Sequence, residues 1–529
     1  MVWHIFKKDW KLLWRFVVIV TAVQFASTAV LLRLGRFEFG ENHTLMGLLG
    51  LLEAITILGS AILIVAVVHQ DPIPGVRQDW LVRPVKRRDL LLAKFLFVLA
   101  AVHGPMLAAD LLEGLANGFP IYQSLGAAAS RDVHVLIGFS LPILAFASLT
   151  SGLTEAFVGG AAASLGIVAF EMFWALHYGR SNSWQFDPTW GSGVAWVTDS
   201  ARLTLALLGA SAVLGLQYFR RKTVPARWLT GGVAFLCLLT QLVPWRSAFA
   251  VQQWLSPSPG AGSSVRMSFE PSLGRFRSPS RLNFSNMTVQ GNRAFIMRSG
   301  DGMMFLPLHI TGLSSDVVLK SDLSEVRLIG ADGKTVYRGP GNALAFRKEG
   351  SSDGEERTHQ GILVPAGVYN RINDQTVRLE IDYSLTLFRL ADSRAMPALG
   401  GDQRIPGVGW CGTKANDAGT AIQLRCLQAG RVAECGTLVL EHVPSGRRNP
   451  VMFACHTDYA PYFRQYVPDA MDRIGGDSPF WDPTGLARYP VDGPQLPESQ
   501  LVMRIYQPQD HFTRHLVIPE IRLKDWEAQ

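Results

Sequence analysis

Residues 45–68 read LMGLLGLLEAITILGSAILIVAVV and carry one charge, Glu53. A helix that crosses a bilayer needs about 20 consecutive apolar residues, and this stretch supplies them. Six further segments before residue 250 have the same character. They are 16–32 (FVVIVTAVQFASTAVLL), 90–109 (LLLAKFLFVLAAVHGPMLAA), 133–150, 157–178 (with one charge, Glu171), 203–219 and 228–245. Soluble helices are rarely apolar on every face, so seven in succession exclude a water-soluble bundle. No small-residue cleavage site follows the first segment, which therefore reads as a retained helix and not a signal peptide.

Composition agrees. The chain has 529 residues, 48% hydrophobic and 18% charged, with a mean hydropathy of +0.16. Soluble domains carry about 25% charged residues. A disordered chain would be charge-rich, and a disulfide scaffold would need far more than 5 cysteines at this length. The net charge of +7 sits in short blocks between apolar stretches, a pattern that fits a lipid surface and not nucleic acid. The loops containing Lys7, Lys8, Lys11 and Arg15, then Arg77 to Arg88, then Arg220 to Arg227, are the basic ones. Cytoplasmic loops carry the Lys/Arg excess, so the N-terminus is expected in the cytoplasm of a cell (inner) membrane protein. Seven crossings then put the C-terminal half outside.

That half reads differently. Residues 251–281 are rich in Pro, Gly and Ser and are expected as a linker. From 282 to 529, strand candidates follow at 303–313, 376–390, 421–429 and 436–443. Residues 325–339 read as a hairpin turning on Asp332-Gly333. The expected fold is a multi-span α-helical membrane domain (1–250) followed by an all-β, sandwich-like extracytoplasmic domain. Cys411, Cys426, Cys435 and Cys455 all fall in it, consistent with disulfides outside the cytoplasm. Four cysteines allow three pairings, and a zinc site with His442 and His456 is the alternative. His511 and His515 are expected to flank a strand and face water. Gly333-Lys334-Thr335 lacks the preceding glycine of a P-loop, because position 328 is Leu. No GxSxG, HExxH or calcium loop occurs, so neither an enzymatic site nor a bound cofactor or metal is expected in this chain.

Ionisable groups at membrane depth call for a partner or a role. Glu53, His103, Asp110 and Glu171 fall at a similar level in their segments and are expected to share a polar cavity open to the outer side. A structural pairing such as Glu53 with His103 is the competing reading.

The second basic loop, HQDPIPGVRQDWLVRPVKRRDLLLAKFL (69–96), places Trp80-Leu81 and Arg83-Pro84 before a basic cluster and a new helix that opens with Lys94. This resembles the permease subunits of ABC-2-type transporters. The opening HIFKKDWKLLWR (4–15) also resembles their amphipathic elbow helix, which lies on the cytoplasmic face. Its Trp3, Phe6, Trp10, Leu13 and Trp14 are interleaved with Lys7, Lys8 and Lys11, a composition suited to anionic lipid. The resemblance implies a dimer of permeases, a homodimer or a heterodimer, driven by a separately encoded ABC ATPase that binds the ATP. It implies export of a substrate, with Asp79, Trp80, Arg83, Pro84, Arg87 and Arg88 coupling the loop to that ATPase. The size of the exported half departs from the family and supports a different expectation, a transmembrane sensor or mechanical transmitter whose β domain binds an outside partner.

Overall fold

The computed structural model of the chain describes residues 1–34, 43–74, 86–178, 194–276, 301–341, 344–347, 355–399, 402–405, 409–415, 421–429, 434–456, 480–481, 487–490 and 497–527. Six helices are long and apolar enough to cross a membrane. They are α1 (Val2–Leu34), α2 (His43–His69), α3 (Arg87–Ala116), α4 (Ile121–Ala147), α5 (Leu153–Tyr178) and α6 (Trp196–Arg220). The seventh expected span is shorter than expected. α7 (Thr223–Leu239) has 17 residues, because Thr240–Leu242 tightens into a 3-10 turn and Val243 is extended before Pro244. A residue preceding proline is held out of the helical region by the ring, which ends the helix there. α8 (Trp245–Trp254) follows at once.

Two of the helices contain wide turns with identifiable causes. In α3 the turn Leu99–His103 precedes Pro105, and in α4 the turn Leu136–Ser140 precedes Pro142. Proline cannot donate to the carbonyl four residues back, and its ring pushes that carbonyl aside, so the ladder widens locally. The elbow expected to precede the first span is not a separate helix, since residues 2–34 run as one helix. At 1.5 Å per residue this helix is about 50 Å long, well beyond a hydrocarbon core of about 30 Å.

The bundle core is built from Leu63, Ile64, Val67, Phe97, Ala101, Leu144, Val213 and their neighbours. α5, by contrast, exposes Phe157, Val158, Leu165, Val168 and Met172 along its length. Such a helix is stable only where its surroundings are apolar.

The C-terminal part is β-rich. Its strands are β1 (Arg266–Phe269), β2 (Gly302–Thr311), β3 (Val317–Ile329), β4 (Thr335–Gly341), β5 (Leu344–Arg347), β6 (Glu355–Val364), β7 (Thr376–Pro397), β8 (Asp402–Ile405), β9 (Gly409–Ala415), β10 (Ala421–Ala429), β11 (Glu434–His442), β12 (Arg447–His456), β13 (Phe480–Trp481), β14 (Ala487–Pro490) and β15 (Ser499–Arg522). The long antiparallel sheet has the order β12-β11-β15-β7-β3-β4, with β5 also on β3. A three-stranded sheet, β1-β2-β6, shares one core with it through Leu306, Leu308, Ile362, Leu379, Ile381, Leu385 and Leu516. Alternation along β2 and β7 puts one face of each into that core. A third sheet runs β13-β10-β9-β8, with β14 paired to β10. The expected hairpin is present as β3–β4, and Gly333 takes a φ of +75° in its turn, a conformation that glycine adopts without a Cβ clash.

Of the expected linker, residues 251–254 end α8 and 266–269 form β1. The intervening chain is fastened to β15: Ser258 N donates to Gln509 O, Gly262 N donates to Asp510 Oδ2 at 2.7 Å, and Arg514 donates to the carbonyls of Gly262 and Val265. Small residues were needed there for close approach. The Cβ position of Gly262 would lie 2.0 Å from the Phe512 ring. Small-residue composition reads as flexibility in sequence and here serves contact.

Candidate functional site

At the end of the bundle that carries the basic loops, four charges close on one another. Lys94 of α3 donates to Asp9 Oδ2 at 2.8 Å and to Asp71 Oδ2 at 2.7 Å. Lys8 donates to both oxygens of Asp71, at 2.8 and 2.7 Å. Lys94 and Asp9 are wholly buried. A charge in such a place is tolerated only when paired and hydrogen-bonded, and the two lysines and two aspartates sum to zero. Burial raises the Asp71 carboxyl, but Lys94 and Lys8 outweigh it and hold it below its ordinary range. The network ties the first turns of α1, the exit of α2 and the entry of α3 together. Phe6 and Trp10 pack on Phe97 beside it, and the buried Tyr218 of α6 adjoins it.

Of the expected coupling residues, Arg87 and Arg88 are described, in the first turn of α3. Arg87 donates to the Phe219 carbonyl at 3.2 Å, and Arg88 is exposed beside Asp89. Asp79, Trp80, Arg83 and Pro84 lie outside the described residues. At the same end, Arg227 of α7 donates to the Leu149 carbonyl and to Glu155 at 2.8 Å.

Toward the opposite end, a polar cleft of about 50 Å³ lies between α1, α2, α3 and α4. Its lining includes Gln24, Ser27, Thr28, Glu53, Thr56, Asp110, Glu113 and Arg131. Arg131 donates to Asp110 Oδ1, while the other oxygen, Oδ2, is buried with no hydrogen-bond partner among the described residues. Of the four residues expected in one cavity, Glu53 and Asp110 meet there. His103 faces elsewhere. It sits in the wide turn of α3, with Nδ1 2.7 Å from Asp132 and Nε2 2.9 Å from Ser140. The alternative pairing of Glu53 with His103 is therefore not made by either His103 nitrogen. Glu171 lies on α5, and its side chain is outside the described set. Glu113 and Arg131 were missed by the sequence reading. Glu113 lies just beyond the apolar run 90–109 that defines the span, and Arg131 lies just before the run 133–150.

The β domain meets this same end of the bundle. Trp410 Nε1 donates to Gly118 O at 3.4 Å, Arg404 donates to Gln123 at 3.0 Å, and Leu427 packs with Phe119 and Ala127 at the turn between α3 and α4. A second joint passes through α8. Trp196 of α6 donates its indole N–H to Gln252 Oε1 at 2.7 Å, and Gln252 Nε2 donates to His511 Nδ1 at 3.0 Å. Gln252 therefore bridges the bundle and the β domain. Arg246 of α8 also pairs with Asp382, which His515 and Arg327 approach too. His511 does not face water as expected. It is buried within β15, its Nδ1 also 3.0 Å from Thr386 Oγ1. Burial pushes its pKa down to about 4.

Strand register brings the cysteines into two opposed pairs: Cys411 faces Cys426 across β9–β10, and Cys435 faces Cys455 across β11–β12. Among the described residues, no cluster of three or more His, Cys, Asp or Glu side chains is arranged to hold a metal ion.

A scan against protein-family models finds no match to this chain, and a search of curated proteins finds none either.

Proposed function

We propose that the chain is the membrane-spanning permease subunit of an ABC-2-type transporter, working as a dimer with a separately encoded ATPase and exporting its substrate. The observation that carries this reading is the Lys8–Asp9–Asp71–Lys94 knot. It fastens both ends of the 69–96 loop to the start of α1, so a push on the loop moves α1, α2 and α3 together. Such a stiff handle is what an ATPase needs if it is to drive helices it does not enter. ATP binds on the partner, and this chain carries out no covalent chemistry.

The basic loops face the cytoplasm of an inner-membrane protein in this reading, and the β domain stands outside. It packs against the α3–α4 turn and the start of α6, which lie at the end of the bundle away from the knot. α7 makes the seventh crossing: it starts beside Arg220 and ends where Thr240 accepts from Arg202 of α6 at 2.7 Å. The register supports disulfides Cys411–Cys426 and Cys435–Cys455, because opposed residues in an antiparallel pair are about 4.5–5.5 Å apart at Cα, within the span of a disulfide.

The test is purification of the full chain from its native membrane, with its companions identified by mass spectrometry. A P-loop ATPase that co-purifies, and is lost when Arg83, Arg87 and Arg88 are changed to Glu, supports the permease. Absence of an ATPase from the unmodified sample overturns it. One observation favours a second reading, a mechanical transmitter between an outside partner and the membrane. The Trp196–Gln252–His511 bridge would pass movement of the β domain directly into α6.

A further inference from the structure

We infer that the corner where α6 turns into α7, beside the first turn of α3, binds an acidic phospholipid, with its headgroup on the basic turns and an acyl chain along α7. The hydrogen bond of 3.2 Å from Arg87 to the Phe219 carbonyl seats two basic turns side by side. One carries Lys86 and Arg88, the other Arg220 and Lys222, and all four are exposed. Burial, and after it the neighbouring Arg87, lowers the Arg221 guanidinium from its ordinary value, so the two turns feel each other's charge. The described carboxylates at this end are engaged in pairs of their own. Asp9 and Asp71 belong to the knot, Glu155 is held by Arg227 and by the Ser151 hydroxyl, and Asp89 lies 3.6 Å from Arg88. Like charges so placed repel one another, and an anion lodged beside them relieves the repulsion. A zwitterionic headgroup would bring its own ammonium toward the same cations, whereas an acidic one does not.

The surface next to these cations selects a lipid over a free phosphate. Val224, Trp228 and Phe235 of α7 are largely exposed. With Gly231 they recur at every third or fourth residue, so they share one face of the helix. Nothing lies within 4 Å of the Cβ positions of Gly231 and Gly232, which leaves a shallow trough between Trp228 and Phe235. From Val224 to Phe235 this face runs about 17 Å, against about 15 Å for one leaflet's half of the hydrocarbon core. Trp228 stands one helical turn from Val224, where an indole sits at headgroup level. Phe219, also exposed, flanks the basic turn from the α6 side. A soluble phosphate has no use for such a face. A lipid uses both parts, and a basic cluster next to a membrane span is attracted to an acidic leaflet.

The inference rests on the membrane reading but not on an ATPase partner. The full chain is placed in nanodiscs of mixed phosphatidylglycerol and phosphatidylcholine, released into mild detergent, and its retained lipid counted by native mass spectrometry. The parent should keep phosphatidylglycerol in preference. Arg220→Gln combined with Lys222→Gln should lower that preference by about tenfold or more, and Trp228→Ala should lower total retention. These side chains are exposed, so the variants fold, and none of them belongs to the expected coupling residues. Lys7→Gln combined with Lys11→Gln, exposed on α1 at the same end, is the control and should leave the preference unchanged. Equal retention of the two lipids by the parent overturns the inference alone, while a chain that never enters the nanodisc overturns the membrane reading with it. A loss in the α1 control equal to that in the corner variant shows a diffuse cationic belt and overturns the site. Saturable binding of glycerol phosphate to the detergent-purified chain, abolished by the corner variant, gives the site to a soluble phosphate and overturns the lipid.

Discussion

Acidification should loosen the joint between the bundle and the β domain through one histidine. The Trp196 indole can only donate, so the Gln252 oxygen must face it and the Gln252 nitrogen must face His511. His511 Nδ1 therefore has to be an unprotonated acceptor, and adding a proton there would set two donors against each other. The pKa of this side chain is about 4 in the folded protein, against about 6.5 in an unfolded chain. Between those values the unfolded state binds the proton and the folded state does not. Stability is whole above about pH 6.5, falls as pH drops through that value, and levels off below about pH 4. Linkage gives a loss of about 2 kcal/mol at pH 5 and about 3 kcal/mol at pH 4, the first equal to roughly a 30-fold change in the folded-to-unfolded ratio. Denaturant unfolding of the purified full chain, followed by tryptophan fluorescence at pH 7.5 and pH 5, reads it. His511→Asn keeps an acceptor near Nδ1 and removes the titration. The acid loss in the parent should exceed that in the variant by about 2 kcal/mol. Equal losses in the two proteins would refute the reasoning.

Lys94→Met should cost about 3–5 kcal/mol by stranding the buried Asp9 carboxylate. Adding Asp9→Asn should recover part of the loss, as read from thermal midpoints. Non-reducing peptide mapping should find Cys411 joined to Cys426 and Cys435 joined to Cys455, each bridge contributing about 3 kcal/mol by loop closure; either cross-pairing would contradict the register. Gly209→Ala would bring a Cβ to 2.7 Å from Val233, and should cost about 1–3 kcal/mol in thermal stability by forcing α6 from α7. Gly231→Ala, with open space around its Cβ position in the interior of α7, should raise the midpoint slightly, by about 0.4–1 kcal/mol of added stability.

The long helices and most strands were legible because an unbroken apolar run of about 20 residues marks the one and apolar/polar alternation marks the other. β10 occupies residues 421–429 as read, and β7 and β11 start within two residues of their expected positions. α7 was misjudged because hydropathy ran on through Val243-Pro244-Trp245, where the backbone could not. The knot was half visible. Lys94 stood out as a basic residue inside an apolar run, but Asp9 and Asp71 are 85 and 23 residues away along the chain, and nothing local marks them as its partners. His511 was placed in water because spacing alone cannot say which face of a long strand is covered, here by a helix from the expected linker region. The cleft was legible in Glu53 and Asp110. His103 left the set because the wide turn before Pro105 sets its direction, a backbone event that residue counting along a regular helix misses.

The helices of the bundle differ in length by a factor that a flat bilayer cannot match. α7 covers about 25 Å and α1 about 50 Å, against a hydrocarbon core of about 30 Å. In the proposed seven-span reading, α7 would stand close to the membrane normal with lipid thinned around it, while α1 would lean or project. The protein thus carries a thin side and a thick side. In that reading bilayer thickness becomes a variable to which the angle between these two helices responds.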